Sequence, residues 1–245
     1  MKVYGLIPCR LKSKRLPEKP LKIIKNYPML VHVYKRLEKS DCDEVYICTG
    51  DVEVADVCKE YNLRYVLTKK EHENGTERCN EAASILKIKN EDSVLNVQGD
   101  EPLVDPSEIN LLISEFKKNK YDLIVPFSYT DKKNDTNEVK VVTDKFGRYL
   151  YLSRNDIPSS FRGNMRLKKQ IGVFIYPKKI LSQIVAISPS EIEISESIEL
   201  LRAVENGYVV NSIEFKNKLI SVDTENDLKK ATELMEVDPL YKKGY

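Results

Sequence analysis

Seven basic side chains lie within sixteen residues of the N-terminal run IPCRLKSKRLPEKPLKIIK: Arg10, Lys12, Lys14, Arg15, Lys19, Lys22 and Lys25. Glu18 is the one acid among them. The whole chain carries 40 basic and 38 acidic residues, so this excess is local. Arginine offers paired planar donors and lysine a compact point charge, the two ways side chains grip phosphate. The run lacks the glycines and the GK[ST] of a P-loop, so any phosphate binding here must come from side chains. A charge run is equally often a solvated surface loop, and charge alone leaves both readings open.

Two aspartates invite the same question. Asp100 ends SVLNVQGD, and Asp223 follows Ile220–Val222, the start of SVDTENDL lying within that run. A lone aspartate at a strand end is often a turn residue, and for Asp223, ahead of a helix, N-capping is the default. The combination sharpens the reading, because a hard cation such as Mg²⁺ takes one or two carboxylates plus phosphate oxygens. Beside a cationic loop, the pair would make a metal–nucleotide site. A further segment, HENGTERCNEA, runs from a loop into a helix. Gly75 permits close backbone approach there, Thr76 reads as the N-cap with Glu77 in the first turn, and Arg78 could reach a base or a phosphate. A capped helix and nothing more is the alternative. His32 lies on a helical pattern and reads as packing. Two histidines and no G-x-S-x-G elbow give hydrolase triads little support.

Elements must bring these residues together. Strand patterns at 3–8, 44–49, 64–67, 93–100 and 122–126 alternate with helical patterns at 29–39, 52–61, 75–86 and 106–119. That alternation predicts βαβ crossovers and a mainly parallel twisted sheet flanked by helices. Ligands of such sheets bind beyond the carboxyl ends of the strands, where the basic loop, QGDEP and Asp223 all fall. The second half predicts a β-hairpin excursion turning at 144–147, a strand in IGVFIY, a helix at 191–206 closed by Gly207, a strand at 208–215, and a last helix after Thr224. No repeat, low-complexity stretch or linker divides the 245 residues, so a single domain is expected.

A hydrophobic fraction of 41% is ordinary for a globular chain, and a net charge of +2 argues against a general nucleic-acid binder. The five cysteines are widely spaced without a C-x-x-C pair, which predicts reduced thiols rather than a disulfide framework or zinc site. No segment approaches the ~18 apolar residues of a membrane span, the apolar run in MKVYGLIPCR is too short to be expected to act as a signal peptide, and a cytoplasmic protein is expected.

In order and spacing, IPCRLKSKRLPEKPL, NGTERCNEA, NVQGDEPLV, SRNDIP, QIGVFIY, IELLRAVENG and VDTENDL resemble the 3-deoxy-manno-octulosonate (Kdo) cytidylyltransferases, the CMP-Kdo synthetases. NVQGDEP together with the first loop is the specific part; the other motifs persuade collectively. The resemblance implies a nucleotide-diphospho-sugar-transferase-like α/β fold, with a nucleotide half (1–125) and an acceptor and dimerisation half (126–245). It implies that the anomeric hydroxyl of a sugar acid attacks the α-phosphate of CTP and expels pyrophosphate. On that reading Arg10, Lys19 and Asp100 carry the chemistry, and Ser13 and Arg15 shape the loop. Pro8, Cys9 and Arg10 would meet the nucleotide, Asn74, Thr76 and Arg78 match the cytosine-reading segment, and Asp100 and Asp223 match the magnesium ligands.

Gln98, Arg154 and Glu199 match the acceptor side. Gln170, Phe174 and Leu200 stand there too, where the family has His, Tyr and Gln. Those departures leave two acceptors in view, Kdo itself or a related acid such as amino-substituted Kdo or another 2-keto sugar acid. A phosphonate or phosphate acceptor and a nucleotide-binding protein without turnover are the remaining alternatives. In the nucleotide half, Glu18 replaces a glycine and Asn74 a serine. A homodimer, and a product destined for lipopolysaccharide or capsule, come from the resemblance alone.

Overall fold

The apolar run VYGLIP forms β1 (Val3–Pro8), and both of its faces are covered, as the lack of polar alternation requires. The computed structural model describes every residue except Lys14, Lys70, Lys120, Asn164 and Lys218; the sequence reading of Lys14 therefore lies outside the described residues. After β1 the basic loop turns through a short 3₁₀ segment (Lys19–Leu21) into a small hairpin of β2 (Ile23–Ile24) and β3 (Tyr27–Pro28). Then α1 (Met29–Leu37), β4 (Glu44–Thr49), α2 (Val52–Glu60), β5 (Tyr65–Leu67), α3 (Gly75–Ile85), β6 (Ser93–Val97) and α4 (Pro106–Lys118) follow the expected alternation. The strand expected at 93–100 stops at Val97 because residues 98–101 fold into a turn, with Glu101 N–H on the Gln98 carbonyl.

The second half contains β7 (Leu123–Ile124), β8 (Phe127–Thr130), β9 (Lys140–Thr143), β10 (Tyr149–Ser153), β11 (Leu167–Gln170) and β12 (Val173–Pro177). It ends with α5 (Lys178–Val185), α6 (Glu191–Glu196), α7 (Leu200–Glu205), β13 (Val210–Asn211), α8 (Glu225–Val237) and α9 (Pro239–Lys242). Among the described residues, one sheet has the order β13-β7-β12-β6-β1-β4-β5. Its pairs are parallel except at β12, which runs antiparallel to both β6 and β7. The expected β9–β10 hairpin turns at Asp144–Gly147, where Gly147 takes φ +82°, but it is no isolated excursion: β11 and β8 extend it to a four-stranded sheet.

Side-chain alternation divides the interior in two. Val3 and Ile7 of β1 face a core shared with Leu30, Val33 and Leu37 of α1 and Ile109 and Leu112 of α4. Leu6 faces the other core, with Ala82 and Ala83 of α3 and Leu181 of α5. Each large apolar side chain so buried contributes about 1.5–3 kcal/mol. A third, smaller cluster joins Leu16 and Ile24, either side of Lys19, to Val222, Ala231 and Met235 around the start and body of α8. It packs the basic loop against the segment that carries Asp223.

Two expectations are corrected. The helix expected at 191–206 is broken at Ser197, whose φ of +52° is left-handed. The break is compensated: Arg202 of α7 pairs with Glu193 of α6 at 2.6 and 2.8 Å, and Arg154 takes the Glu196 and Ser197 carbonyls that a continuous helix would have used. Among the described residues, the strand expected at 208–215 is ladder-paired only over β13, with isolated bridges from Asn211 to Arg148 and from Glu214 to Phe127. All five cysteines are free.

Candidate active site

The loop after β1 and the turn after β6 emerge from adjacent parallel strands, so both lie beyond the same sheet end. Lys19 closes the loop and directs its ammonium at both candidate aspartates. Its Nζ donates to Asp100 Oδ2 at 2.6 Å and to Asp223 Oδ1 at 3.0 Å. Arg15 adds an ion pair to Asp223 Oδ1 at 2.8 Å and donates through its other terminal nitrogen to Asn137. Lys19 thus meets an aspartate 204 residues further along the chain. Burial opposes the Lys19 charge, yet the two carboxylates outweigh it and hold its pKa above the ordinary value. Asp223 does not cap α8; Thr224 does, in a reciprocal capping box with Asp227.

Among the described residues, two clefts share this junction. One, of about 890 Å³, is lined by Pro8, Cys9, Arg10, Ser13, Lys19 and residues of the α3 entry including Asn74, Gly75 and Arg78. The other, of about 1190 Å³, includes Arg154, Lys169 and Gln170 and opens toward the four-stranded sheet. Arg15, Gln98, Asp100 and Asp223 line both. The wall between the two cavities is therefore built from the pair of aspartates together with Arg15 and Gln98.

In the first cleft, Arg10 approaches the His72 and Glu73 carbonyls only at 3.4 Å, and its side chain is otherwise exposed. Ser13 Oγ accepts from Leu16 N–H at 3.4 Å, a loose brace within the loop. Cys9 is buried, which pushes its thiol pKa well up and leaves it a packing residue. The expected N-cap moves: Asn74, not Thr76, accepts from Glu77 N–H, because the helix starts earlier than a Thr76 cap would require. Thr76 turns inward, where its hydroxyl meets Asn96 at 3.3 Å, and it does not line the cleft. Arg78 is buried and donates to Thr68 Oγ1 at 2.6 Å and to the Lys69 carbonyl at 3.0 Å, bracing the β5–α3 loop from below.

Residues 4–220 match the family model of the cytidylyltransferases. The chain belongs to the cytidylyltransferase family. The 3-deoxy-manno-octulosonate cytidylyltransferase of a Nitratiruptor species is 37% identical to it over 231 residues, 92% of this chain and 96% of that one. Its counterpart from Fusobacterium nucleatum subsp. nucleatum is 36% identical over 233 residues, 93% and 94% of the two chains. A solved structure of CMP:2-keto-3-deoxy-manno-octonic acid synthetase complexed with CTP matches with a TM-score of 0.89 at 29% identity, covering 96% of this chain and 99% of that one.

On the acceptor side, this cytidylyltransferase brings only some of the expected residues to the cleft. Gln98, Arg154 and Gln170 line it; Phe174, Glu199 and Leu200 do not. Phe174 and Leu200 are buried in the core with Tyr176 and Leu201, where apolar side chains gain more than the family's polar ones would. Glu199 is held beneath α3 by Thr76, and burial first of all lifts its pKa to about 7. Arg154 spends Nε and both terminal nitrogens on the carbonyls of Glu196, Thr136 and Ser197, so it shapes the cleft wall as well as charging it. Glu101, Lys169 and Asn137 also line this cleft and escaped the sequence reading. Glu101 was the legible one, an acid directly after Asp100; burial, then the Asp100 charge, raises its pKa to about 7.

Proposed function

We propose that this cytidylyltransferase transfers CMP from CTP to the anomeric hydroxyl of Kdo. One observation carries the reading: Asp100 and Asp223 meet on the wall shared by a cleft with triphosphate-gripping cations and a second, roomier polar cleft. An α-phosphate at that wall faces the acceptor, while the β- and γ-phosphates extend toward Arg10, Arg15 and Lys19. The names of the relatives and of the CTP-complexed structure support both substrates.

In the reaction the acceptor hydroxyl gives up its proton to solvent, its oxygen forms a bond to the α-phosphorus as the bond to the bridging oxygen breaks, and the electron pair leaves with pyrophosphate. No covalent enzyme intermediate is required, so the protein's work is positioning and charge stabilisation. The donor set suits magnesium: two carboxylates already converge on one cation, and such an ion takes its other ligands from phosphate and water. Held there by Asp100 and Asp223, it would supply polarisation of the α-phosphate and charge neutralisation. Lys19 would then turn from the carboxylates to the departing phosphates. Gln98 and Gln170 offer hydrogen bonds to a hydroxylated acid, and Arg154 and Lys169 offer positive charge to its carboxylate. Exposed Phe146, Leu150, Phe161 and Met165 on the half carrying the four-stranded sheet support a homodimer through that half.

Pyrophosphate release measured with CTP, ATP, GTP and UTP, each with Kdo and with a panel of 2-keto sugar acids and phosphorylated acceptors, tests the proposal. Release restricted to CTP plus Kdo is expected. A faster rate with another acceptor, or indifference to the base, would overturn it.

A further inference from the structure

Asp100 and Asp223 must stand at a fixed spacing to share one cation, yet neither belongs to a helix or strand. Asp100 sits in the turn after β6, and residues 219–223 are irregular chain leading to α8. No ladder sets their relative register. Two cross-links between the segments do so instead. Val222 N–H donates to the Asp100 carbonyl at 2.9 Å, and the Ser221 hydroxyl donates to Glu101 Oε1 at 2.5 Å. Each aspartate thus has an immediate neighbour tied to the other segment.

Glu101 is unusual for the task. It is 1% exposed, and its Oε2 is buried with no hydrogen-bond partner among the described residues. A buried carboxyl with one idle oxygen is costly, so what its other oxygen does must matter. The same carboxyl meets a third segment as well. The Gly172 backbone stands close against it, so that a Cβ at Gly172 would lie 3.1 Å from Oε1. The start of β12, next to Gln170 in the acceptor cleft, is therefore pressed onto the same carboxyl.

We propose that the Glu101–Ser221 hydrogen bond is the clasp that sets the spacing of Asp100 and Asp223, making Glu101 and Ser221 positioning residues for the divalent cation. Neither needs to touch the ion. The clasp rests on the reading that the two aspartates hold metal, and it accounts for why a buried acid follows Asp100 directly.

The test reads metal binding rather than turnover: Mn²⁺ titrated by electron paramagnetic resonance into the protein saturated with CTP, without acceptor. Ser221→Ala is expected to weaken Mn²⁺ about tenfold while the CTP constant stays within about twofold, the size expected for one hydrogen bond to an acid. Ser221 is partly exposed, so this variant keeps its fold, checked by thermal melting. Glu101→Gln retains an acceptor oxygen and should bind Mn²⁺ nearly as wild type does, whereas Glu101→Ala should match Ser221→Ala. Unchanged Mn²⁺ affinity in Ser221→Ala overturns the clasp. So does a loss in Glu101→Gln as large as in Glu101→Ala, which would mean that the negative charge itself holds the ion. Asp223→Asn separates the two levels: should it leave Mn²⁺ binding intact, the metal reading fails and the clasp with it.

Discussion

The Lys19 ammonium lies 2.6 Å from the Asp100 carboxylate, and the same nitrogen reaches Asp223 at 3.0 Å. One lysine thus bridges a pair of acids that the chain separates widely, with Arg15 adding a second ion pair to Asp223 alone. Removing Lys19 leaves Asp100 without that counter-charge beside Asp223, at the proposed triphosphate site.

Lys19→Met should therefore lower kcat/KM for CTP by about 10²–10³-fold, the usual loss for one preorganised charge contact in a site of this kind. The same variant should gain more thermal stability from added magnesium than wild type does, since the ion then relieves the repulsion. Coupled pyrophosphate assays and melts with and without Mg²⁺ measure both. Wild-type kinetics in the variant would remove Lys19 from the site.

Asp100→Asn keeps the shape and loses the charge. Turnover should fall by about 10³-fold or more even at saturating magnesium, because phosphoryl transfer depends on charge stabilisation at the α-phosphate. The melting temperature should hold or rise slightly, the acid pair being relieved. Near-normal pyrophosphate release would refute the assignment.

Glu18 occupies the left-handed region at φ +54° and ψ 29°, at the N-cap of the 3₁₀ turn that delivers Lys19. The exposed side chain makes no capping hydrogen bond there, so nothing offsets the strain of about 1–2 kcal/mol that a non-glycine residue bears in this conformation. Glu18→Gly relieves that strain but enlarges the unfolded ensemble, for a net gain of about 0.5–1 kcal/mol and about 1–4 °C in melting temperature. A melt that moves downward would show that the carboxylate has a stabilising partner.

His32 is fully buried between the β2–β3 hairpin and the C-terminus. The Ile24 carbonyl can only accept, so Nε2 carries the proton and Nδ1 accepts from the Tyr245 hydroxyl, each at 2.8 Å. Burial, with Arg36 nearby, lowers its pKa from 6.5 to about 4. Above pH 6.5 the folded and unfolded states are both neutral there and the contribution is complete. As pH falls from 6.5 through about 4 the unfolded state takes the proton first, and about 3 kcal/mol is lost. Urea midpoints of wild type and His32→Gln should therefore converge on acidification. Glu199, with its raised pKa, acts in the opposite sense but equally in both proteins. Parallel pH profiles would sink the idea.

Much of this was readable in the residues. The first half follows strict alternation, so Val3–Pro8 and Glu44–Thr49 form where periodicity predicts, and the order of the crossovers brings Asp100 to the basic loop. The second half was less legible, for physical reasons. Ser197 breaks a pattern whose apolar spacing looks continuous, because Arg154, far off in sequence, supplies the compensating hydrogen bonds. Leu167–Gln170 carries two lysines in a row, and the sequence predicts no strand there, yet it pairs as a strand in which each lysine finds a partner, Lys168 on Thr143 and Lys169 on Glu138. Asn74 and Thr76 are both good caps by type, and the start of the helix at Gly75 together with the inward contact of Thr76 with Asn96 decides between them.

The reversed direction of β12 has an effect on how substrate preference can be altered. A strand running backwards offers its beginning where its parallel neighbours offer their ends, so Gln170 and Gly172 arrive beside Gln98 with no long loop to carry them. On the proposed function, sugar recognition and phosphorus chemistry would thereby occupy adjoining strands of opposite polarity. Exchanges at the head of one would then retune the acceptor while the tail of the other stays as it is.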